Sequence, residues 1–243
     1  MKEWLYGRNP VYEVLRAGKR QAFQLNLAQG VQEKGRLAEI ISLCRKKKLK
    51  INYVDRKLLD NLDVNHQGLA LQADEYSYHG IEEMLDLAAK REEPPFILVL
   101  DALQDPQNMG TLLRTAEAVG VHGVVMPLRR TATVTPAVVA ASSGASEHLL
   151  VAQANLAQAL DILIENNLWA IGLDGGPESQ PLEQVNLKGP LALVVGNEGK
   201  GMRRLVRDKC DLLLRLPMRG QIESLNAAVA GSVALYLALQ ARS

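Results

Sequence analysis

Cysteine is scarce in this sequence: Cys44 and Cys210 are the only two in 243 residues, and neither stands in a CxxC or Cys/His spacing. This scarcity excludes a scaffold held by disulfides and argues against a zinc site. Long apolar runs are missing too, because none approaches the roughly 18 residues that a membrane span needs. The N-terminal segment also lacks the apolar region of a signal peptide. We therefore expect a cytoplasmic protein without a membrane partner.

An excess of charge is also absent, because 28 Lys and Arg residues are balanced by 27 Asp and Glu residues. The charge is nevertheless unevenly distributed. Residues 1–60 carry 14 basic and 6 acidic side chains, whereas residues 61–93 carry 2 and 8. The basic segment 45–50 has a composition suited to phosphate contacts. Lys and Arg also favour the last turn of a helix, and the charge run alone favours that second interpretation.

The first third of the chain alternates between strand and helix patterns. Short apolar segments at 22–28, 49–54 and 68–73 predict strands, and the apolar spacing over 33–47 predicts a helix. We therefore predict a small N-terminal α/β domain over residues 1–75.

The pattern changes twice after this domain. Residues 76–95 are hydrophilic, hold one short helical pattern and end in a Pro-Pro pair, so we predict a linker. In residues 96–243, near-continuous apolar runs alternate with helical patterns, which is typical of a mostly parallel sheet covered by helices. The apolar runs are 96–100, 168–173 and 191–195, and the helical patterns are 111–119, 156–166 and 225–239.

Polar and small residues follow three of the predicted strands. They occupy residues 101–116, 196–202 and 217–226, and they carry amide, hydroxyl, guanidinium and carboxylate groups. Ligands of parallel sheets bind beyond the carboxyl ends of the strands. Three such segments therefore predict one functional site at this edge of the sheet.

Several common site motifs are missing. No GxGxxG follows the first strand of either domain, which argues against a dinucleotide site and against the usual class I methyltransferase loop. No GxxxxGK[ST] segment is present, so a Walker-type nucleotide hydrolase is not expected. No residues have metal-ligand spacing, and the four histidines are scattered along the chain. We expect no metal site.

Three segments resemble the motifs of the SpoU (TrmH) family of RNA ribose 2′-O-methyltransferases, in the same order and spacing. The segments are 108–120, 195–202 and 224–230. Residues 6–11 and 65–68 resemble the substrate-binding domain of the ribosomal-RNA members, in particular those that methylate guanosine in bacterial 23S rRNA. The resemblance implies a SPOUT-type fold with a C-terminal trefoil knot, S-adenosyl-L-methionine as methyl donor, large-subunit rRNA as substrate and a homodimer.

The resemblance also implies which residues form the site. The backbone around Gly196, Leu216 and Leu225 would hold the adenine and ribose of the cofactor. The catalytic residues implied by the motifs are Asn108, Arg114, Glu198, Ser224 and Asn226.

These residue types suit methyl transfer to a ribose hydroxyl, which must lose its proton. A guanidinium stays protonated and has no acceptor, so we favour Arg114 as a clamp on the adjacent phosphate and a stabiliser of the developing alkoxide. Water or phosphate would then take the proton. Glu198 could hold Asn108 or Arg114 in place, and Asn108 and Ser224 are also candidate helix N-caps.

Two alternatives stay open. The same chemistry could act on tRNA, although the separate N-terminal domain favours rRNA. A non-catalytic RNA-binding or ribosome-assembly protein could also keep this fold, although the intact site motifs argue against it. The last helical pattern is apolar on nearly all sides, which predicts burial in a subunit interface.

Overall fold

The computed structural model describes residues 2–63, 65–129, 131–197, 199, 201–222 and 224–242. The chain divides into two units. One comprises Met1–Ser77 together with Thr133–His148, and the other comprises Tyr78–Ala132 together with Leu149–Ser243.

The strands and helices are numbered in chain order. The first seven are β1 (Lys2–Tyr6), α1 (Arg8–Ala17), β2 (Ala22–Ala28), α2 (Arg36–Lys46), β3 (Lys50–Val54), α3 (Arg56–Asp60) and β4 (Leu69–Asp74). The next seven are α4 (Ile81–Arg91), β5 (Phe96–Leu100), α5 (Pro106–Ala118), β6 (Gly123–Pro127), α6 (Pro136–Ala141), β7 (Val151–Ala154) and α7 (Leu156–Glu165). The last six are β8 (Trp169–Leu173), β9 (Gln180–Pro181), β10 (Leu191–Val195), α8 (Arg204–Arg207), β11 (Leu212–Arg215) and α9 (Ala227–Arg242).

The first unit contains a four-stranded sheet in the order β1-β4-β2-β3. Strand β4 is antiparallel to both of its neighbours, and β2 is parallel to β3. Helices α1 and α2 pack against each other, because each turns one apolar face inward: Val11 and Val14 of α1 and Leu37 and Ile40 of α2 are buried. The predicted strands of residues 1–75 are present, and β1 is an additional one.

The segment Thr133–His148 belongs to this first unit, although it lies far along the chain. A buried ion pair ties it to the N-terminal residues: Arg20 donates from Nε and Nη2 to the carboxylate of Glu147, at 2.9 and 2.8 Å. Glu3 adds a second carboxylate to the same guanidinium. The division expected from the sequence, with residues 96–243 as one domain, differs from the structure here, because the buried carboxylate of Glu147 pairs with Arg20 of the N-terminal residues.

The second unit contains a seven-stranded sheet in the order β7-β6-β5-β10-β8-β11-β9. All its strand pairs are parallel. Strands β5, β6 and β10 are buried along their whole length, as expected for central strands covered on both faces. This confirms the predicted mostly parallel sheet with helices. The trefoil knot stays a prediction.

Helix α4 lies in the stretch predicted as a linker, and it packs into the core of the second unit. Ile81 and Met84 are buried in the same apolar cluster as residues of β5 and β6. A Cβ atom on Gly123 of β6 would lie 2.1 Å from the sulfur of Met84, so the helix approaches the strand as closely as glycine allows. The sequence hid this role because charged residues, acidic in the first turn and basic in the last, cover the exposed side of α4.

The start of one helix differs from the sequence-based expectation. Helix α5 begins at Pro106 rather than at residue 111, because Asp105 caps it by accepting hydrogen bonds from the backbone N–H of Gln107 and Asn108, at 3.1 and 3.3 Å. The prediction of Asn108 as the N-cap was therefore wrong, since Asn108 is the third helical residue. Within the described part of the chain, every helix is too short or too polar to cross a membrane.

Candidate active site

A cavity of about 410 Å³ lies at the carboxyl ends of β8, β10 and β11. The parallel sheet brings these strand ends together, so loops distant in sequence form one wall. The predicted cofactor-binding residues Gly196, Leu216 and Leu225 all line the cavity, and so does Ser224. Apolar side chains of Leu173, Val195, Leu214 and Met218 and backbone of Gly175, Gly199 and Gly201 complete much of its wall.

The loop after β10 folds back on itself at the rim of this cavity. Asn197 and Gly201 exchange two backbone hydrogen bonds of 3.0 Å. A Cβ atom on Gly196 would lie 2.4 Å from the carbonyl carbon of Gly201 and 2.5 Å from the nitrogen of Met202, so only glycine allows this close approach. Glycine at position 196 is therefore a packing requirement of the cavity wall.

Two side chains connect this loop to the end of β5. Asn197 donates from Nδ2 to the carbonyl of Ala102 at 3.0 Å and accepts at Oδ1 from the N–H of Gly199 at 3.0 Å. Asp101 is fully buried and accepts hydrogen bonds from the backbone N–H and from Nε of Arg203, both at 2.6 Å. The loop that lines the cavity is thus held against the segment that leads into α5.

Two predicted catalytic residues from opposite ends of the second unit's sequence are in contact. Asn226 donates from Nδ2 to Oδ1 of Asn108 at 3.1 Å, across 118 residues of chain. The Oδ1 of Asn226 also accepts from the backbone N–H of Ala228 at 2.8 Å and of Val229 at 3.2 Å. Asn226, and not Ser224, therefore caps α9 while it bridges to α5.

Arg114 and Glu198 are the two remaining predicted catalytic residues. Arg114 lies on α5, less than two turns beyond Asn108, and its side chain is on the exposed side of the helix. Glu198 lies outside the described residues. The structure thus brings Ser224 to the cavity and Asn108 to Asn226.

Sequence reasoning included Asp101 and Asn197 in its predicted site segments but missed two residues of the cavity, Asp174 and Gly175. Asp174 and Gly175 line the cavity directly after β8, where Asp174 accepts from the N–H of Gly176 at 2.7 Å. The rule applied to the other strand ends would have found them, because they follow the apolar run 168–173.

Cys210 lies near this region but offers no nucleophile. Burial raises the pKa of its thiol to about 12, and the thiol donates to the carbonyl of Val206 at 3.4 Å. The cavity lining supplies amide, hydroxyl, carboxylate and backbone groups to bind and orient a ligand.

A parallel α/β sheet with a cavity at its strand ends defines a class of ligand-binding proteins, and comparison with known proteins specifies the family. Residues 95–236 match the SpoU rRNA Methylase family, and residues 4–79 match the family described as RNA 2′-O ribose methyltransferase substrate binding. The chain belongs to the SpoU rRNA methylase family and is an RNA 2′-O-methyltransferase.

Individual relatives cover nearly the whole chain. A putative TrmH family tRNA/rRNA methyltransferase, YacO of Bacillus subtilis, is 41% identical over 96% of this chain and 94% of its own length. The 23S rRNA (guanosine-2′-O-)-methyltransferase RlmB of Pseudomonas putida is 38% identical over 99% of this chain and 97% of its own length. The crystal structure of the SpoU methyltransferase AviRb from Streptomyces viridochromogenes, in complex with AdoMet, shares the fold with a TM-score of 0.82 at 20% identity, covering 98% of this chain and 89% of AviRb.

Proposed function

We propose that the chain uses S-adenosyl-L-methionine to methylate the ribose 2′-hydroxyl of a guanosine in 23S rRNA. The observation that carries the proposal is the cavity at the ends of β8, β10 and β11, next to the Asn108–Asn226 contact. The 23S rRNA activity named for the Pseudomonas relative supports the choice of substrate.

The residues of the cavity fit this cofactor. Leu173, Leu214 and Leu216 offer apolar surface to an adenine ring, and the glycines at 175, 199 and 201 leave backbone groups accessible to its polar atoms. The close approach at Gly196 keeps side chains out of this wall. When bound, S-adenosyl-L-methionine supplies an electrophilic methyl group on a sulfonium.

The protein's own residues position the RNA. Arg114 clamps the phosphate beside the target ribose and stabilises negative charge on the 2′-oxygen, because a protonated guanidinium donates in a fixed fork geometry. Water or the phosphate accepts the hydroxyl proton. Asn108 and Asn226 hold α5 and α9 together at the site, and Ser224 places its hydroxyl at the cavity wall. Such positioning supplies much of the lowering of the barrier.

The N-terminal unit favours rRNA over tRNA as substrate. Its match over residues 4–79 is to a substrate-binding family, so it is the part of the chain that selects the RNA. The relative from Bacillus subtilis is named for tRNA and rRNA alike, which keeps tRNA as the alternative substrate.

We further propose that the protein acts as a homodimer through α9. This helix buries Gly231, Ala234, Leu235 and Ala238 on one side. Its opposite side leaves Val229, Val233, Tyr236 and Leu239 exposed by 48, 42, 55 and 36%. A second copy of the same helix would cover this apolar face, as the family resemblance implies.

Mapping of 2′-O-methyl groups in rRNA and tRNA from cells with and without the gene tests the substrate. We expect the loss of one guanosine methylation in 23S rRNA, restored by the wild-type gene. A lost position in tRNA would favour the alternative, and an unchanged map together with no binding of S-adenosyl-L-methionine in calorimetry would refute the proposed reaction.

A further inference from the structure

Two N-terminal motifs singled out in the sequence, residues 6–11 and 65–68, meet in the structure. The backbone N–H of Arg8 donates to Oε1 of Gln67 at 2.8 Å, and Nε of Arg8 donates to the carbonyl of Gln67 at 3.4 Å. The reaction proposed above uses neither residue, so this contact calls for a separate explanation.

A cavity of about 430 Å³ opens at this contact, and we name it the Arg8–Arg56 cavity. Its lining consists of Arg8, Val31, Arg56, Gln67 and Gly68. The two guanidiniums come from different elements, since Arg8 begins α1 and Arg56 begins α3. The fold therefore brings two positive charges to one cavity across 48 residues of chain.

These two charges have no acidic partner among the residues that the structure describes. The two acidic residues at the ends of α3 bond elsewhere: Asp55 accepts from the backbone N–H of Lys57 at 2.8 Å, and Asp60 bonds Nε2 of His66 at 2.8 Å. An anionic ligand would thus meet two guanidiniums that form no salt bridge within the described part of the chain.

Buried contacts fix the loop that carries Gln67 and Gly68. His66 is fully buried, and its Nδ1 accepts from the backbone N–H of Gly68 at 2.9 Å. Gln67 has a φ of 54°, and Gly68 has a φ of 85° with its missing Cβ position 3.1 Å from Val31. A loop fixed in this way binds a ligand without a large ordering cost.

We propose that the Arg8–Arg56 cavity binds a phosphodiester of the substrate RNA strand. This inference rests on the proposed function, because it assigns where the N-terminal unit holds the RNA backbone. The guanidiniums match a phosphate by paired N–H donors, and the Gln67 side chain adds a neutral amide for the neighbouring ribose. Contacts of this kind position the RNA and read no sequence.

The test uses the full chain with Arg56→Gln and the matched control Lys57→Gln. Both remove one positive charge from exposed neighbours on α3, but only Arg56 lines the cavity. Binding of an rRNA fragment is measured at several salt concentrations. We expect R56Q to weaken binding roughly three- to tenfold and to flatten the log–log salt slope by about 0.7, whereas K57Q stays close to wild type.

Equal effects of R56Q and K57Q, or no effect of either, would overturn the assignment. The Arg8→Gln variant provides a second test, because Arg8 is the other arginine of the cavity. It should weaken RNA binding as R56Q does. Calorimetry with S-adenosyl-L-methionine should give wild-type affinity for every variant, which separates this site from the methyl-transfer site. Inorganic phosphate at millimolar concentration is a second probe. If the wild type bound phosphate and R56Q did not, while R56Q bound RNA as well as the wild type, the cavity would be a site for free phosphate. That result would also overturn the proposal. Failure of the wild type to methylate RNA would instead concern the proposed function, because the binding assay needs no turnover.

Discussion

Arg114 is the residue on which the proposed chemistry depends most. We expect Arg114→Ala to abolish methyl transfer and to leave the affinity for S-adenosyl-L-methionine near normal, because Arg114 is on the exposed side of α5 and does not line the cavity. Single-turnover methylation and calorimetry measure the two effects. Arg204→Ala, a change of another exposed arginine in the same unit, serves as the control. If R114A kept more than about a tenth of the rate, the lost stabilisation would be below ~1.4 kcal/mol and Arg114 would have no part in the reaction.

Asn226 combines a capping role with a bridging role, and two substitutions separate them. Asn226→Asp keeps the oxygen that caps α9 but loses the Nδ2 donor to Asn108, whereas Asn226→Ala loses both. We expect N226A to lower the free energy of unfolding by about 1 kcal/mol and N226D to lower it less, with methyl transfer reduced in both. Denaturant unfolding and activity measured on the same samples provide the test. Full activity in N226A would show that the contact with Asn108 is irrelevant to the reaction.

At the scale of elements, the basic residues at the end of α2 are compatible with both interpretations, contact with RNA phosphates and a favourable position in the last turn of a helix. Arg45 and Lys46 occupy the last turn of the helix, and Lys47 and Lys48 follow it on the exposed surface. Replacement of Lys46, Lys47 and Lys48 by Gln should weaken specific and non-specific RNA binding alike. The log–log salt slope should flatten by about 0.7 for each lost contact. Turnover at saturating RNA should barely change.

A triple variant with the same charge change elsewhere controls for net charge. Lys34, Lys90 and Lys188 are exposed and lie apart from one another in sequence, so their replacement by Gln should affect RNA binding less. Equal salt slopes in the two triple variants would show that the end of α2 meets only solvent.

The exposed side of α9 carries the dimer prediction. Val233→Glu with Tyr236→Glu should convert the protein to a monomer, because charged groups on this face would lose their hydration in a subunit interface. Size-exclusion chromatography with light scattering measures the mass. Leu205→Glu is the control, since Leu205 is 72% exposed on α8 and equally apolar. A wild-type protein that is itself monomeric at micromolar concentration would contradict the prediction.

At the scale of the whole molecule, the boundary between the two units has a consequence for truncation. A fragment of residues 78–243 keeps α4, whereas a fragment of 96–243 loses Ile81 and Met84 from the core. Loss of a buried Met side chain alone costs about 2–5 kcal/mol. We therefore expect the first fragment to bind S-adenosyl-L-methionine and to unfold at a clearly higher temperature than the second. Equal melting temperatures would place α4 outside the folding unit.

Both fragments should be cleaved by protease within residues 133–148. Removal of residues 1–77 takes away Arg20, the bidentate partner of buried Glu147, and leaves that charge uncompensated. The intact chain should resist cleavage there under the same conditions. Resistance in the fragments would mean that the segment holds its conformation without the N-terminal residues.

The local sequence was sufficient for much of this structure. Apolar runs and helical spacing predicted the parallel sheet of the second unit, and the polar segments after β5, β10 and β11 predicted where a site would form, because these signals depend on near neighbours in the chain. The residues lining the cavity after β8 were within reach of the same rule. Helix starts were less certain, since Pro106 and Asp105 act through a cap that hydrophobic spacing does not record.

Only the tertiary structure decided which distant segments meet. The order of the strands, the packing of α4 against β6, the pairing of Arg20 with Glu147 and the contacts of Asn108 with Asn226 and of Arg8 with Gln67 all join residues far apart in the chain. Such contacts depend on the closure of long loops and on how well volumes and buried charges match across the core. The sequence contains the residue types that make these contacts, but local patterns do not indicate which distant residues will pair.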